Sequence, residues 1–295
     1  MTLNRQLKLD ALLPPEMARR AEILGSEKAG LDAVSMFTLA LLAGSFIGLG
    51  AVFMTTIVSG ANNISFQGAS WAYGLIRLLA GLGFCLGLIL VVVGGAELFT
   101  GNNLIIMAWA SGKVTTAALL RNWLVVYTGN FVGAIGTAAL VLLSKQYTFA
   151  GGGIGAAALS IAQGKVSLGF FQAIALGVLC NTLVCLAIWL CYSARTTVDK
   201  IASIVFPISA FVAAGFEHCI ANMYFVPIAL LIKSDTTYIE SLALPAADLA
   251  GLSWSAFLLN NLLPVTLGNI LGGAVFVGAV YWFIYLRPAK RSAAN

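Results

Sequence analysis

Gly215-Phe216-Glu217-His218-Cys219-Ile220-Ala221-Asn222-Met223 sets a carboxylate beside the sole histidine of a 295-residue sequence. The segment around it, Ile201 to Ile232, is otherwise nearly free of charge. Ionisable side chains inside such a segment are expensive, so they face a protein interior or a watered path and mark function. The composition agrees that this interior lies in a bilayer. Hydrophobic residues make up 60%, charged residues 9%, and mean hydropathy is +0.96. A soluble domain carries about 25% charged residues, too many for a chain like this one to match.

Outward from that stretch, the apolar runs exceed the roughly 20 residues that cross a bilayer as helix. Six spans are expected, near 33–58, 73–110, 118–143, 167–193, 200–232 and 254–286. The second and fifth are too long for one straight crossing. Glu97 lies inside the second, and Glu217 with His218 inside the fifth. Two overlong spans with polar residues at mid-depth predict two broken helices. Residues 1–30 read as a cytoplasmic segment without a signal peptide, 31–287 as the membrane domain and 288–295 as a cytoplasmic tail. Pro14-Pro15 predicts a short helix with Met17, Ala18, Ala21, Ile23 and Leu24 on one face and Arg19, Arg20 and Glu22 on the other. It would lie on the membrane or flap over a mouth. With both termini inside, twelve Lys and Arg fall on the cytoplasmic side and four (Arg77, Lys145, Lys165, Lys233) on the other.

The sequence repeats itself. Gly95-Ala96-Glu97 with Asn102 has the spacing of Gly215-Phe216-Glu217 with Asn222. Asn122 with Gly129-Asn130 and Gly133 has the spacing of Asn261 with Gly268-Asn269 and Gly272. Three spans per half is odd, so the halves point oppositely across the bilayer. The expected fold is an all-α membrane protein of six transmembrane helices in a 3+3 inverted repeat, helices 2 and 5 broken. Substrates of such folds cross at the repeat interface near the midplane.

A half-helix that begins at a break points its positive end inward, and two such ends favour an anion. Thr100, Gly101 and Asn102 suit the first break, and Glu217-His218 with Asn222 the second. Imidazole, with an ordinary pKa near about 6.5, is best able to give and take a proton near neutral pH. Glu97 and Glu217 are expected to hold the broken ends by accepting backbone hydrogen bonds. Lys165, at the start of span four with no acidic partner in view, reads either as a snorkelling lysine or as a collar that draws anions. Phe84 and Leu88 share one helical face, with Leu98 and Phe211 as further candidates for an apolar throat. By spacing alone these four are ordinary core residues.

Five cysteines sit in apolar runs without C-x-x-C spacing and read as buried thiols. Neither metal nor cofactor is expected. The basic residues flank spans and form no nucleic-acid patch. An intramembrane enzyme using Glu97, Glu217 and His218 would lack a second histidine or an activated nucleophile. The paired Asn-Pro-Ala signature of an aquaporin is missing.

The residues resemble the formate/nitrite transporter family over 30–287. The resemblance rests on Gly94-Gly95-Ala96-Glu97-Leu98-Phe99-Thr100-Gly101 and on Gly177-Val178-Leu179-Cys180-Asn181 with Val184-Cys185-Leu186-Ala187. It rests equally on Gly215-Phe216-Glu217-His218 with Ala221-Asn222-Met223, and on Pro264-Val265-Thr266-Leu267-Gly268-Asn269. Thr182 stands where an apolar residue is usual. Asn122-Trp123-Leu124, Tyr127, Gly129-Asn130 and Phe216 are most similar to the formate channel branch. Nitrite or hydrosulfide channels of the same family are the alternative. The resemblance implies an aquaporin-like subunit, a homopentamer with one pore per subunit, and small monovalent anions and protons as the transported species. The implied location is the bacterial inner membrane. It implies a central proton-exchanging His218 with Thr100, Asn181 and Asn269 nearby, and Lys165 drawing anions from outside. Phe84, Leu88 and Leu98 would form the inner constriction, Phe211 the outer one, and the N-terminal segment could gate the cytoplasmic mouth.

Overall fold

The computed structural model describes residues 11–59, 65–66, 69–70, 73–242 and 249–287. The tail 288–295 and the first ten residues lie outside the described residues. Among those described, six helices are long and apolar enough to cross a membrane. They are α2 (Ala33–Val58), α3 (Tyr73–Gly94), α6 (Thr116–Leu143), α8 (Phe170–Ser193), α9 (Thr197–Ala214) and α12 (Ala256–Tyr285). The first expected span, 33–58, coincides with α2, and 118–143, 167–193 and 254–286 agree with α6, α8 and α12 to within a few residues.

Both overlong spans are broken. After α3 the chain leaves the helix at Gly95 and resumes as α4 (Phe99–Asn102), one 3-10 turn and α5 (Ile106–Ala110). After α9 it leaves at Gly215 and resumes as α10 (Cys219–Lys233), which the short α11 (Thr236–Ser241) follows. Gly95 at φ 79° and Gly215 at φ 77° take the left-handed conformation that a side chain would resist. Sequence also sets the starts. Asp32 Oδ1 accepts from Val34 and Ser35 N–H to begin α2, and Thr196 and Asp199 form a reciprocal cap on α9. Pro264 lacks an N–H for the turn before it, and α12 has wide five-residue turns at Ala256–Leu262. The only strand pairing among the described residues is antiparallel, Ser65 with Ser70 and Phe66 with Ala69.

Two elements depart from the sequence expectation. An unforeseen helix, α7 (Gly153–Val166), precedes span four, and Lys165 sits on its last turn. Fourteen residues are too few to cross a bilayer, so the segment carried no span signal. The N-terminal helix α1 (Pro14–Gly30) is present and buries Met17, Ala18 and Ala21 as expected, but Glu22 and Ile23 exchange places. Met17, Ala18, Ala21, Glu22 and Gly25 are buried, and Ile23 is exposed. Glu22 is buried because Lys113 meets it at 2.5 Å.

Each half thus runs helix, helix, broken helix, helix: α1, α2, α3 to α5, α6, then α7, α8, α9 to α10, α12. The repeated glycines let helix backbones touch. A Cβ on Gly133 would lie 2.0 Å from Leu41 O, and one on Gly272 would lie 2.3 Å from Val178 O. These contacts clamp α6 to α2 and α12 to α8. Small residues at such crossings are how helices associate where lipid removes the hydrophobic drive. Along α3, Leu75, Leu78, Leu82 and Leu86 stay exposed while Gly81, Phe84 and Leu88 face inward. An apolar outer face of that kind suits lipid or a neighbouring subunit, not water.

Candidate functional site

The breaks leave backbone groups that a bilayer cannot solvate, and each such group costs several kcal/mol when unpaired, roughly. Two asparagines satisfy them. Asn130 Oδ1 accepts the Phe99 N–H at 2.9 Å, while its Nδ2 donates to Ala40 O at 2.7 Å and Glu97 O at 2.9 Å. Asn269 repeats this with the Cys219 N–H at 2.9 Å, Gly177 O at 2.8 Å and Glu217 O at 2.9 Å. The backbone N–H groups of Glu97 and Glu217 donate to Leu39 O and Leu176 O on the neighbouring helices.

The glutamate side chains therefore act differently from the expectation. Their oxygens accept from side chains. Glu97 takes Lys28 Nζ at 2.6 Å and Asn102 Nδ2 at 2.7 Å, and Asn102 also donates to Asn122 Oδ1 at 3.0 Å. Glu217 takes Lys165 Nζ at 2.8 Å and Asn222 Nδ2 at 2.7 Å, and Asn222 also donates to Asn261 Oδ1 at 2.7 Å. The lysine backbones close both rings: Asn122 Nδ2 donates to Lys28 O and Asn261 Nδ2 to Lys165 O. Lys165 thus has the acidic partner that the sequence concealed, and Lys28 is its counterpart. Both carboxylates are almost fully buried, which is tolerable only because each is paired and hydrogen-bonded.

Lys28 escapes a reading of the sequence although Asn122 and Asn261 are visible in the repeat. Lys28 and Lys165 are 137 positions apart, but Glu97 and Glu217 are 120 apart. Connections of unequal length put the two lysines out of any single register.

Between the two clusters the structure brings His218, Thr100, Asn181 and Asn269 together. His218 caps α10: its Nδ1 accepts the Ala221 N–H at 3.1 Å. An accepting Nδ1 carries no proton, so the neutral ring bears its proton on Nε2. Nε2 lies 3.0 Å from Thr100 Oγ1 and is the donor of that pair. The Thr100 hydroxyl proton is left to be given elsewhere. Asn181 Nδ2 ties Thr100 O at 3.2 Å to Asn269 O at 2.7 Å, fixing the first break against α12. Phe211 stacks on the imidazole with centroids 5.9 Å apart.

Two cavities approach this pair. One of about 300 Å³ is lined by Lys165, Glu217, His218, Phe84 and Phe211. The other, about 460 Å³, is lined by Lys28, Glu97, Asn102, Leu98 and Gly101. Thr100, Asn181 and Asn269 are buried and line neither. The partition therefore has the Thr100–His218 pair within it. Leu98 faces the Glu97 cavity, and Phe84 and Phe211 face the Glu217 cavity. Phe84 meets Phe211 edge-on at 5.6 Å. Leu88, buried behind them, lines neither cavity.

Among the described residues no three His, Cys, Asp or Glu side chains gather as a metal site. The five cysteines are unpaired and buried.

The profile of the formate/nitrite transporter family matches residues 15–283. The chain belongs to the formate/nitrite transporter family. Its similarity to individual members of that family is spread over the whole chain. It is 42% identical over 280 residues to the formate channel FocA of Escherichia coli K12, covering 94% of this chain and 96% of that protein. It is 40% identical over 277 residues to FocA of Haemophilus influenzae, covering 93% and 95%. Among solved structures, a pentameric formate channel with formate bound superposes with a TM-score of 0.80 at 47% identity, over 86% of this chain and 98% of that one. An ion channel of the family superposes at 0.73 and 26% identity, over 91% and 98%.

Proposed function

We propose that this protein is a formate channel of the bacterial inner membrane, assembled as a homopentamer with both termini cytoplasmic and its halves inverted in the bilayer. The reading rests on the relatives named above, on the charge bias of the loops and on one geometric observation. That observation is a single neutral imidazole, bonded to Thr100, set in an apolar partition between two lysine-bearing cavities.

The energetics favour passage as neutral acid. A bare anion in a dry partition costs several kcal/mol, roughly, even after relaxation. Lys165 and Lys28 raise the local anion concentration in their cavities. When the side chains of the partition step aside, the anion reaches the Thr100 hydroxyl, which lines neither cavity at rest and whose proton is free because Nε2–H of His218 supplies the bond that Thr100 accepts. The proton that makes formic acid comes from water: His218 takes one up on Nδ1 as Nε2–H passes to Oγ1 and the Oγ1 proton passes to the anion, so the ring ends neutral and is never left as imidazolate. Uptake on Nδ1 costs the Ala221 bond that caps α10. Glu97 and Glu217, each held by a lysine and an amide, scaffold the breaks and do not form an acid–base couple.

Formate uptake into proteoliposomes tests the reading, at two pH values and with nitrite and hydrosulfide as competitors. Formate flux that rises on acidification and fails in His218→Phe is expected. Unchanged pH-dependent flux in His218→Phe removes the imidazole from the mechanism. Preference for nitrite or hydrosulfide reassigns the anion within the family.

A further inference from the structure

Arg77 belongs to neither lysine cluster, yet its guanidinium lines the Glu217 cavity beside Lys165, Phe211 and His218. It starts on α3 and crosses to the end of α9. Nε donates to Ala213 O at 3.2 Å, and Nη2 donates to Val212 O. The two helices are close enough for this because Gly81, one turn further on, lies against α9. A Cβ there would be 2.7 Å from Ser209 O. The last turn of α9 already uses its other donors. Phe216 N–H takes Phe211 O at 3.0 Å, and Gly215 N–H takes Val212 O at 3.1 Å. Ala213 O is left for the guanidinium.

The end of a helix carries roughly half a negative charge on its last carbonyls. Here that end abuts the cavity from which an anion would reach His218, because Phe211, Val212 and Gly215 all line it. Left bare, those carbonyls would oppose the field of Lys165. A guanidinium is well matched to them, because it is always charged and its planar fork bonds two carbonyls at once.

We propose that Arg77 is a selectivity residue of the Glu217 cavity. It cancels the negative end of the α9 half-helix beside the anion's path. The proposal rests on the anion-channel reading and adds to it a cation that acts through the backbone and not through a carboxylate.

The test is flux against concentration in proteoliposomes at low and high ionic strength, for wild type, Arg77→Gln and Arg77→Lys. Arg77→Gln is expected to raise the formate KM about 10-fold at low salt and to make its salt dependence shallower, with kcat changed by less than about 3-fold. Arg77→Lys keeps the charge and is expected to hold KM within about 3-fold of wild type with the salt slope intact. A Gln variant with wild-type KM and slope overturns the proposal. So does a Lys variant as impaired as the Gln variant, because geometry and not charge would then be at stake. If Arg77→Gln fails to assemble, the slope in Arg77→Lys decides alone, and its loss with the charge retained overturns the proposal. Wild-type protein inert to formate but carrying nitrite or hydrosulfide removes the formate reading, and the variants are then compared on that anion. Wild type inert to all three removes both.

Discussion

The two halves of the molecule hold their breaks with the same hardware and differ in what the breaks present to each other. Lys28, Glu97, Asn102, Asn122 and Asn130 in the first half do what Lys165, Glu217, Asn222, Asn261 and Asn269 do in the second. Yet Glu97 is followed by Leu98, and Glu217 by His218. Two residues later the polarity reverses, with Thr100 in the first half and Ile220 in the second. Each half contributes one member of the central hydrogen bond. The scaffold is duplicated, but the chemistry exists once. On the proposed mechanism, a second imidazole in place of Leu98 would put another polar group in the partition and lower the barrier to a charged substrate.

The largest expected effect comes from erasing the difference. His218→Leu puts the same residue after both glutamates and should cut formate flux about 100-fold or more, the usual scale for losing a proton-transfer group. Flux in proteoliposomes, with assembly checked by size exclusion, measures it. Retained flux would show that the asymmetry is not where transport happens.

Next in size is an unequal effect on matching lysines. Lys165→Met leaves Glu217 buried and unpaired, a loss of about 3–5 kcal/mol in a buried pair. Lys28 is more exposed than Lys165, with 32% against 14% of its side chain accessible. Lys28→Met should therefore cost less, and combining Lys165→Met with Glu217→Gln should recover much of the loss. Thermal unfolding in detergent reads all three. Equal shifts for the two lysines would mean that the cavities are equally dry.

Smaller and symmetric effects are expected at the amides. Asn130→Ala and Asn269→Ala each leave a break N–H without its acceptor, at about 1–3 kcal/mol apiece. The same melting assay compares them.

The smallest contrast concerns acidification of the helices that carry the lysines. Around α1, burial raises the Glu22 carboxyl, but Lys113 and Ser111 outweigh it and hold it below its ordinary value. Near α7, hydrogen bonds from Tyr147 and then Lys145 push Asp235 down to about 2. Both are depressed carboxyls, so each tie is fully present above its ordinary value near about 4 and is lost as pH falls through its folded value. Glu22 starts from the higher ordinary value, so α1 should loosen before the Asp235 tie does. Hydrogen exchange of α1 and of the 145–166 segment between about pH 7 and about pH 3 checks the order. Loosening of α1 above about pH 5 would point to another group.

What can be read from sequence follows from what each feature obeys. The spans are set by hydropathy and length, and the breaks by glycine and polar residues at mid-span, which are local signals. Asn130 and Asn269 stand out through identical spacing, but their role as acceptors for Phe99 and Cys219 depends on which helix crosses which. Lys165 finds Glu217 only because a helix too short to span folds back to the break. Helical spacing puts Glu22 on the wet face of α1, because nothing local announces Lys113, 91 residues away. The same spacing groups Phe84 with Leu88, yet its partner Phe211 arrives from another helix.

The glycine contacts at Gly133 on Leu41 and Gly272 on Val178 carry one more consequence. Helices whose main chains touch cannot slide or tilt past each other without prising both seams apart. A carrier that works by reshaping either of these bundles has to do that in every cycle. Both seams lie inside one half of the molecule, α2 with α6 and α8 with α12, so each half holds its shape as a block and any yielding is left to the place where the blocks meet, at Thr100 and His218.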